Sequence, residues 1–191
     1  MSTATSNRIL DSAVSCFHRD SIDKTTMSSI ITESGLARTT VYRHFPIKDD
    51  IISRLVLRDI DYLIQYVDTI RTQHQDVEEQ LVETLAFVIG EIGTRPVLAE
   101  LFSQDPIRLN RLGLSNKIVM SYTHNAIKPT YELIKSVDGL RDGVTLKDFS
   151  EWCSRVIMSF VITPHHYRDN PGRMRKYIKN FILPSMLRGD Q

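Results

Sequence analysis

The sequence predicts an all-α protein: an N-terminal three-helix unit followed by a larger helical bundle, about nine helices in all. Apolar residues recur at three-to-four spacing almost throughout, and no convincing run of period-two alternation interrupts them. Glycines, prolines and short hydroxyl or amide residues stand where helices would start and stop, with no internal repeat and no low-complexity tract.

Ile9, Leu10, Ala13, Val14 and Phe17 mark a first helix, entered near Ser6 and ending around Asp20. Thr26 caps a short second helix whose Met27, Ile30 and Ile31 face inward. Gly35 stops it, because glycine takes the left-handed conformation that a tight helix exit needs. A third short helix covers Arg38 to His44, and Pro46 ends it.

A long helix then runs from near Lys48 to about Thr72 on a seam of Ile52, Leu55, Val56, Leu63, Val67 and Ile70. The next, from about Asp76 to Ile92, carries Leu81, Leu85, Phe87 and Val88. Thr94 and Pro96 read as the N-cap and early-turn proline of a short helix through Phe102. From Ser115 to Val137 the pattern is again helical. Pro129 inside it has no N–H and crowds the Asn125 carbonyl, which predicts a kink. Thr145, with Asp148 three residues on, opens a helix carrying Phe149, Trp152, Cys153, Val156, Ile157 and Phe160, ended by Pro164. Asn170 and Pro171 give the cap and first-turn proline of a last helix with Met174, Ile178, Phe181 and Ile182.

With 41% hydrophobic and 25% charged residues in 191, the composition is that of a soluble globular chain with a real core. The longest apolar run, around VIMSFVIT, is far too short for a bilayer, and MSTATSNR contains no apolar signal segment. Cys16 and Cys153 read as free thiols of a reducing, cytoplasmic compartment. Net charge is +1, but residues 36–58 hold five basic side chains against two acidic ones. A local basic patch on a near-neutral chain suits reversible, salt-sensitive contact with phosphate.

That patch contains GLARTTVYRHF, Gly35 to Phe45. Two short helices joined by a glycine-bearing turn form a helix-turn-helix, whose second helix enters the major groove while the first crosses the backbone. In that frame Arg38, Thr39 and Thr40 sit at the helix N-terminus, where side chains meet base edges. Tyr42 and His44 carry donor tips able to reach phosphate oxygens, and Lys48 is a further phosphate partner. Val41 and Phe45, four apart, face the core of the unit.

TTMSSIITESGLARTTVYRHFPIKDDI, Thr25 to Ile51, resembles the DNA-binding motif of the TetR family of transcriptional regulators, and ILDSAVSCFHRD resembles that family's first helix. Carried over by position, the resemblance implies phosphate contacts at Thr26, Tyr42, His44 and Lys48, and base reading at Arg38, Thr39 and Thr40. Ala37 stands where the family commonly has serine, so the recognition helix lacks a side-chain cap; Thr39 stands where glycine is frequent. The resemblance also implies a division into a helix-turn-helix domain, residues 1–48, and an effector-binding and dimerisation domain, residues 49–191.

In the larger part, Tyr62, Tyr66, Phe87, Phe102, Met120, Tyr122, Tyr131, Trp152 and Met158 are bulky or adaptable side chains spread over five helices. They would line a cavity for a mainly apolar effector near Tyr122, Asn125 and Pro129, or simply fill a core. Arg155, on an otherwise apolar helix, would hold an anionic group of a ligand or pair with Glu151 one turn earlier. His124, His165 and His166 lack partners at ligand spacing, so no metal site is expected, and no cofactor. Val156, Ile157, Phe160 and Val161, with Met174, Ile178, Phe181 and Ile182, form apolar stripes that could close a four-helix interface between two copies. The basic run RDNPGRMRKYIK reads as a solvated face, with a second DNA contact as the alternative.

No phosphate-cradling glycine loop, nucleophile elbow or zinc-helix motif supports an enzyme. The expectation is a bacterial homodimeric regulator: a repressor on a palindromic operator, released by a small apolar molecule. An activator or architectural factor without an effector is the alternative.

Overall fold

A computed structural model of the chain describes residues 3–95, 97–99, 116–163 and 170–188. The element order is α1 (Thr3–Lys24), α2 (Met27–Ser34), α3 (Arg38–His44), α4 (Lys48–Gln73), α5 (Val77–Thr94), α6 (Asn116–Ser136), α7 (Leu146–Ile162) and α8 (Pro171–Tyr177), followed by a π-helical turn (Ile178–Ile182) and a 3-10 turn (Leu183–Ser185). Among the described residues the sole extended pairing is an isolated bridge between Leu140 and Leu187, so the all-α expectation holds. The described residues of Met1–Ile60 and Arg95–Ser115 make one compact unit, and those of Asp61–Thr94 and Asn116–Gln191 another.

In the first unit, α1 buries Ile9, Leu10, Ala13, Cys16 and Phe17 on one face. Its regular part stops at Asp20, because Ser21 takes φ 68°, ψ 163°, a conformation costing a non-glycine residue about 1–3 kcal/mol. The Thr25 amide and hydroxyl both donate to the Ser21 carbonyl, at 3.2 and 2.7 Å, and hold the bend. Thr26 then starts α2 with a capping box: its hydroxyl accepts from the Ser29 amide at 3.1 Å, and the Ser29 hydroxyl accepts from the Thr26 amide at 3.0 Å. Gly35 ends α2 at φ 61°, where a side chain would be strained and its Cβ would lie 3.1 Å from Arg8 Nη2.

Helix α3 begins at Ala37 without a side-chain cap, as expected. Val41 and Phe45 drop into the core with Ile30, Ile51, Ile52, Leu55 and Val56. At the far end of this unit Arg95 pairs with the buried Asp59 at 3.0 Å. Burial pushes the Asp59 carboxyl above its ordinary range, and the Arg95 guanidinium partly offsets this. Thr94 is not the N-cap expected. It closes α5 by donating its hydroxyl back to the Glu91 carbonyl at 2.9 Å, and the next helical residues, 97–99, start from the Arg95 carbonyl. Pro96, Phe102 and Pro164 lie outside the described residues.

The second unit packs Leu81, Leu85 and Ile89 of α5 against Ile127 and Ile134 of α6, Phe149 and Cys153 of α7, and Met174, Ile178 and Ile182. Thr145 and Asp148 cap α7 reciprocally, and Asn170 Oδ1 caps α8 by accepting from the Arg173 amide at 3.1 Å. Pro129 lies within α6, which runs on through it. One turn before Pro129, the Ala126 carbonyl accepts from Arg71 Nη1 at 2.9 Å, joining α4 to α6. Gln80 Nε2 closes the end of α4 by donating to the His74 carbonyl at 2.7 Å.

Both cysteines are buried free thiols, and burial pushes the Cys153 thiol up to about 12, which keeps it inert. No described helix is long and apolar enough to cross a membrane, and the described residues hold no cluster of metal-ligating side chains.

Candidate nucleic-acid interface

Seven residues decide what α3 can touch. With Val41 fully buried and Phe45 nearly so, the helix turns Arg38, Thr39 and Arg43 outward to exposed positions, leaving Thr40, Tyr42 and His44 half-buried along its flanks. The Arg38 guanidinium lies over the Tyr42 ring, 5.2 Å from its centroid. A cation, hydroxyls and a phenol thus share one exposed face behind a dry apolar one, the division that groove insertion requires. Arg43 received no role in the sequence reading, although a second arginine in a seven-residue helix was a visible signal.

Thr26 is exposed and its hydroxyl is engaged in the α2 cap, so what it offers outward is the beginning of α2. Lys48 behaves unlike the expectation of an outstretched phosphate partner. Its ammonium donates to the carbonyls of Ile22 and Thr25, each at 2.8 Å, within its own unit. That contact spans 26 and 23 positions of sequence, and no local pattern announces it.

Comparison with known proteins bears on this geometry. Residues 9–55 match the family model described as bacterial regulatory proteins, tetR family. Over those residues the chain resembles the TetR family. An HTH-type transcriptional regulator of Staphylococcus aureus (strain MRSA252) is 27% identical over 185 residues, covering 96% of this chain and 95% of its own. Among solved structures, a TetR-family transcriptional regulator from Pectobacterium atrosepticum superposes with a TM-score of 0.76 at 11% identity, covering all of both chains. The SmeT–triclosan complex superposes with a TM-score of 0.67 at 18% identity, covering 97% of this chain and 93% of that one. The matched residues run from within α1 into α4 and contain α2 and α3, which the Gly35 turn joins as a helix-turn-helix.

Within the second unit, the residues expected to line a pocket divide. Tyr62 and Tyr66 on α4 and Phe87 on α5 come together: Tyr66 stacks on Phe87 at 3.9 Å with 12° between planes, and Tyr62 lies 6.4 Å from each ring. The two tyrosines are exposed, so the cluster presents an aromatic surface. Tyr131 is instead a core residue, since its hydroxyl donates to the Val144 carbonyl at 3.1 Å and its ring meets Phe149 edge-on at 5.7 Å. Trp152 packs half-buried against the same core. Asn125 and Pro129 are exposed. Arg155 points to solvent in a pair with Glu151 at 2.7 Å, because an i, i+4 partner satisfies it more cheaply than burial would. Phe102 and the side chains of Met120 and Tyr122 lie outside the described residues, as do His165, His166 and Arg168.

The expected interface stripe also needs correction. Met174, Ile178 and Ile182, at intervals of four, fill the interior of their own unit and are not available to a partner. Phe181, one position off that row, is 70% exposed. It continues an aromatic series from Phe160 through Tyr177, with centroids 5.7 and 5.1 Å apart; Tyr177 was missed in the sequence because it lies between the two apolar rows. Val156, Ile157 and Val161 are half-buried on α7. The basic run is partly neutralised: Arg175 forms a bidentate pair with Glu83, and Lys179 pairs with Glu78 at 3.1 Å.

Proposed function

We propose that this chain is a DNA-binding transcriptional regulator of the TetR family, working as a homodimeric, ligand-responsive repressor that reads a palindromic operator with α3. The observation that carries the proposal is the two-sidedness of α3, with Arg38 stacked on Tyr42 outside and Val41 and Phe45 sealed inside. Arg38, Thr39 and Thr40 contact base edges; Thr26, Tyr42 and His44 fix the register on phosphates.

One α3 spans too few base pairs to select a site, so two copies are needed, placing recognition helices about 34–36 Å apart. The exposed Phe181, with Phe160 and the outer side of α7, is the apolar surface that pairs them. The effector is a small, mainly apolar molecule received by the Tyr62, Tyr66 and Phe87 cluster. The triclosan complex of SmeT supports this, since that structural relative takes such a ligand.

Release follows if the effector prefers the dimer whose recognition helices are wrongly spaced; equal affinity for both states would release nothing. In this scheme residues 1–48 hold the DNA-reading function and 49–191 the effector and pairing functions. No step of it is catalytic.

Selection of bound duplexes from a random-sequence library tests the reading directly. The expected result is an enriched inverted repeat, bound by a species of twice the chain mass in sedimentation and released by some members of an apolar compound panel. Enrichment of a single unrepeated site, or binding by a lone subunit, overturns it.

A further inference from the structure

Lys48 opens α4, beside the recognition helix, yet its ammonium turns inward. It bridges the carbonyls of Ile22 and Thr25, both at 2.8 Å. These belong to the connection between α1 and α2, where Ser21 is held in its strained conformation and Thr25 donates twice to the Ser21 carbonyl. Carbonyls past the end of a helix lack intrahelical partners and carry the negative end of its dipole, so a cation among them is well placed. An ammonium suits this site because it is a compact charge whose three rotatable donors can converge on two oxygens, whereas a guanidinium is bulkier and holds its donors in a rigid plane. The residue after Thr25 is Thr26, the N-cap that aims the start of α2.

We infer that Lys48 is a positioning residue for DNA binding: by clamping Ile22 and Thr25 it fixes the N-terminus of α2 relative to α4, and it does not act as a phosphate contact. This rests on α2 and α3 being the DNA-reading pair and deepens it, because it reassigns the lysine that the sequence motif points at the backbone. The bidentate clamp explains why a lysine stands at the start of α4 beside two acidic residues, Asp49 and Asp50.

The test uses the full chain, a mixed-sequence DNA duplex, and the variants Lys48→Met and Lys48→Arg. Affinity is measured as a function of salt, and amide hydrogen exchange is followed over residues 25–30. Both variants are expected to bind on the order of tenfold more weakly, the scale of one charge-assisted hydrogen bond. Their salt slope should match wild type, and exchange in residues 25–30 should quicken.

A phosphate contact would behave otherwise. Lys48→Arg would bind like wild type, and Lys48→Met would lose about 0.9 of salt slope with exchange unchanged; that pair of results overturns the inference. Should a variant fail to fold, the Lys48 Nζ signal of 15N-labelled wild type decides. A slowly exchanging ammonium that is undisturbed by added duplex supports the clamp, and one that changes partners on DNA refutes it. Wild-type chain that binds no duplex would remove the DNA reading itself, leaving the exchange data to show whether the clamp exists.

Discussion

Arg38 and Tyr42 are one turn apart on α3, and the guanidinium of the first rests 5.2 Å above the ring centre of the second. A residue expected to read bases and one expected to grip phosphate are thus a single mechanical element. An exposed cation–π contact of this kind is worth about 0.5–1 kcal/mol, enough to bias the Arg38 rotamer before DNA arrives. Tyr42→Phe keeps the stack and removes only the hydroxyl, so it should weaken binding by about 0.5–1.5 kcal/mol equally for every duplex tested. Tyr42→Leu loses the stack as well and should also blur sequence preference. Anisotropy titrations over a panel of related duplexes distinguish these outcomes; identical panels for the two variants would show that the stack has no part in recognition.

Arg38→Ala should relax preference at one or two base pairs in each half-site, costing about 1–3 kcal/mol against the favoured base and little against others. The measurement is the same duplex panel. A uniform loss across all sequences would reassign Arg38 to the backbone.

Ala37 leaves the start of α3 uncapped, whereas Thr26, Thr145 and Asn170 each cap their helices with a side-chain oxygen. Ala37→Ser should therefore stabilise the first unit by about 1 kcal/mol. Chemical denaturation followed by circular dichroism reads the gain. A neutral or negative change would mean that the serine hydroxyl finds no α3 amide.

The fold was legible wherever the signal was local. Capping residues, the Gly35 exit and the burial of Val41 with Phe45 all follow from spacing within a few residues. What escaped was non-local or two-sided. Lys48 reaches back past α3 and α2 to the end of α1, and a sequence motif can place a lysine near DNA without saying that its ammonium is already spent. Met174, Ile178 and Ile182 looked like an interface stripe because periodicity marks an apolar face without saying whether the chain's own α5 and α7 cover it.

Phe181 separates these cases by experiment. At 70% exposure it adds little to its own unit, so Phe181→Asp should leave the melting temperature of the subunit near wild type while shifting the chain toward monomer in sedimentation velocity. Ile178→Ala, with a fully buried side chain, should instead cost about 2–5 kcal/mol of stability. If Phe181→Asp remains dimeric at micromolar concentration, pairing uses another surface.

The bidentate pair of Glu83 and Arg175 joins α5 to α8 and makes a pH-dependent contribution whose sign is fixed. The Arg175 hydrogen bonds hold the Glu83 carboxyl below its usual 4.5, against a smaller opposing effect of burial. In the window beneath 4.5 the unfolded chain binds more protons than the folded one, so stability rises with pH there. The contribution is complete above that value and is lost as pH falls through the folded-state one. Asp59, raised by burial, works in the opposite direction in the first unit, where stability falls as pH climbs above 3.8. The chain has one tryptophan, Trp152, packed against the core of the second unit, so its fluorescence follows that unit. Urea unfolding at Trp152 between roughly pH 3 and 5 should show wild type gaining stability with pH and Glu83→Gln showing a flatter profile. Solvent reaches both partners, at 42% and 21% side-chain exposure, so the difference should shrink further in high salt. Parallel profiles for the two proteins would mean that the pair does not persist in solution.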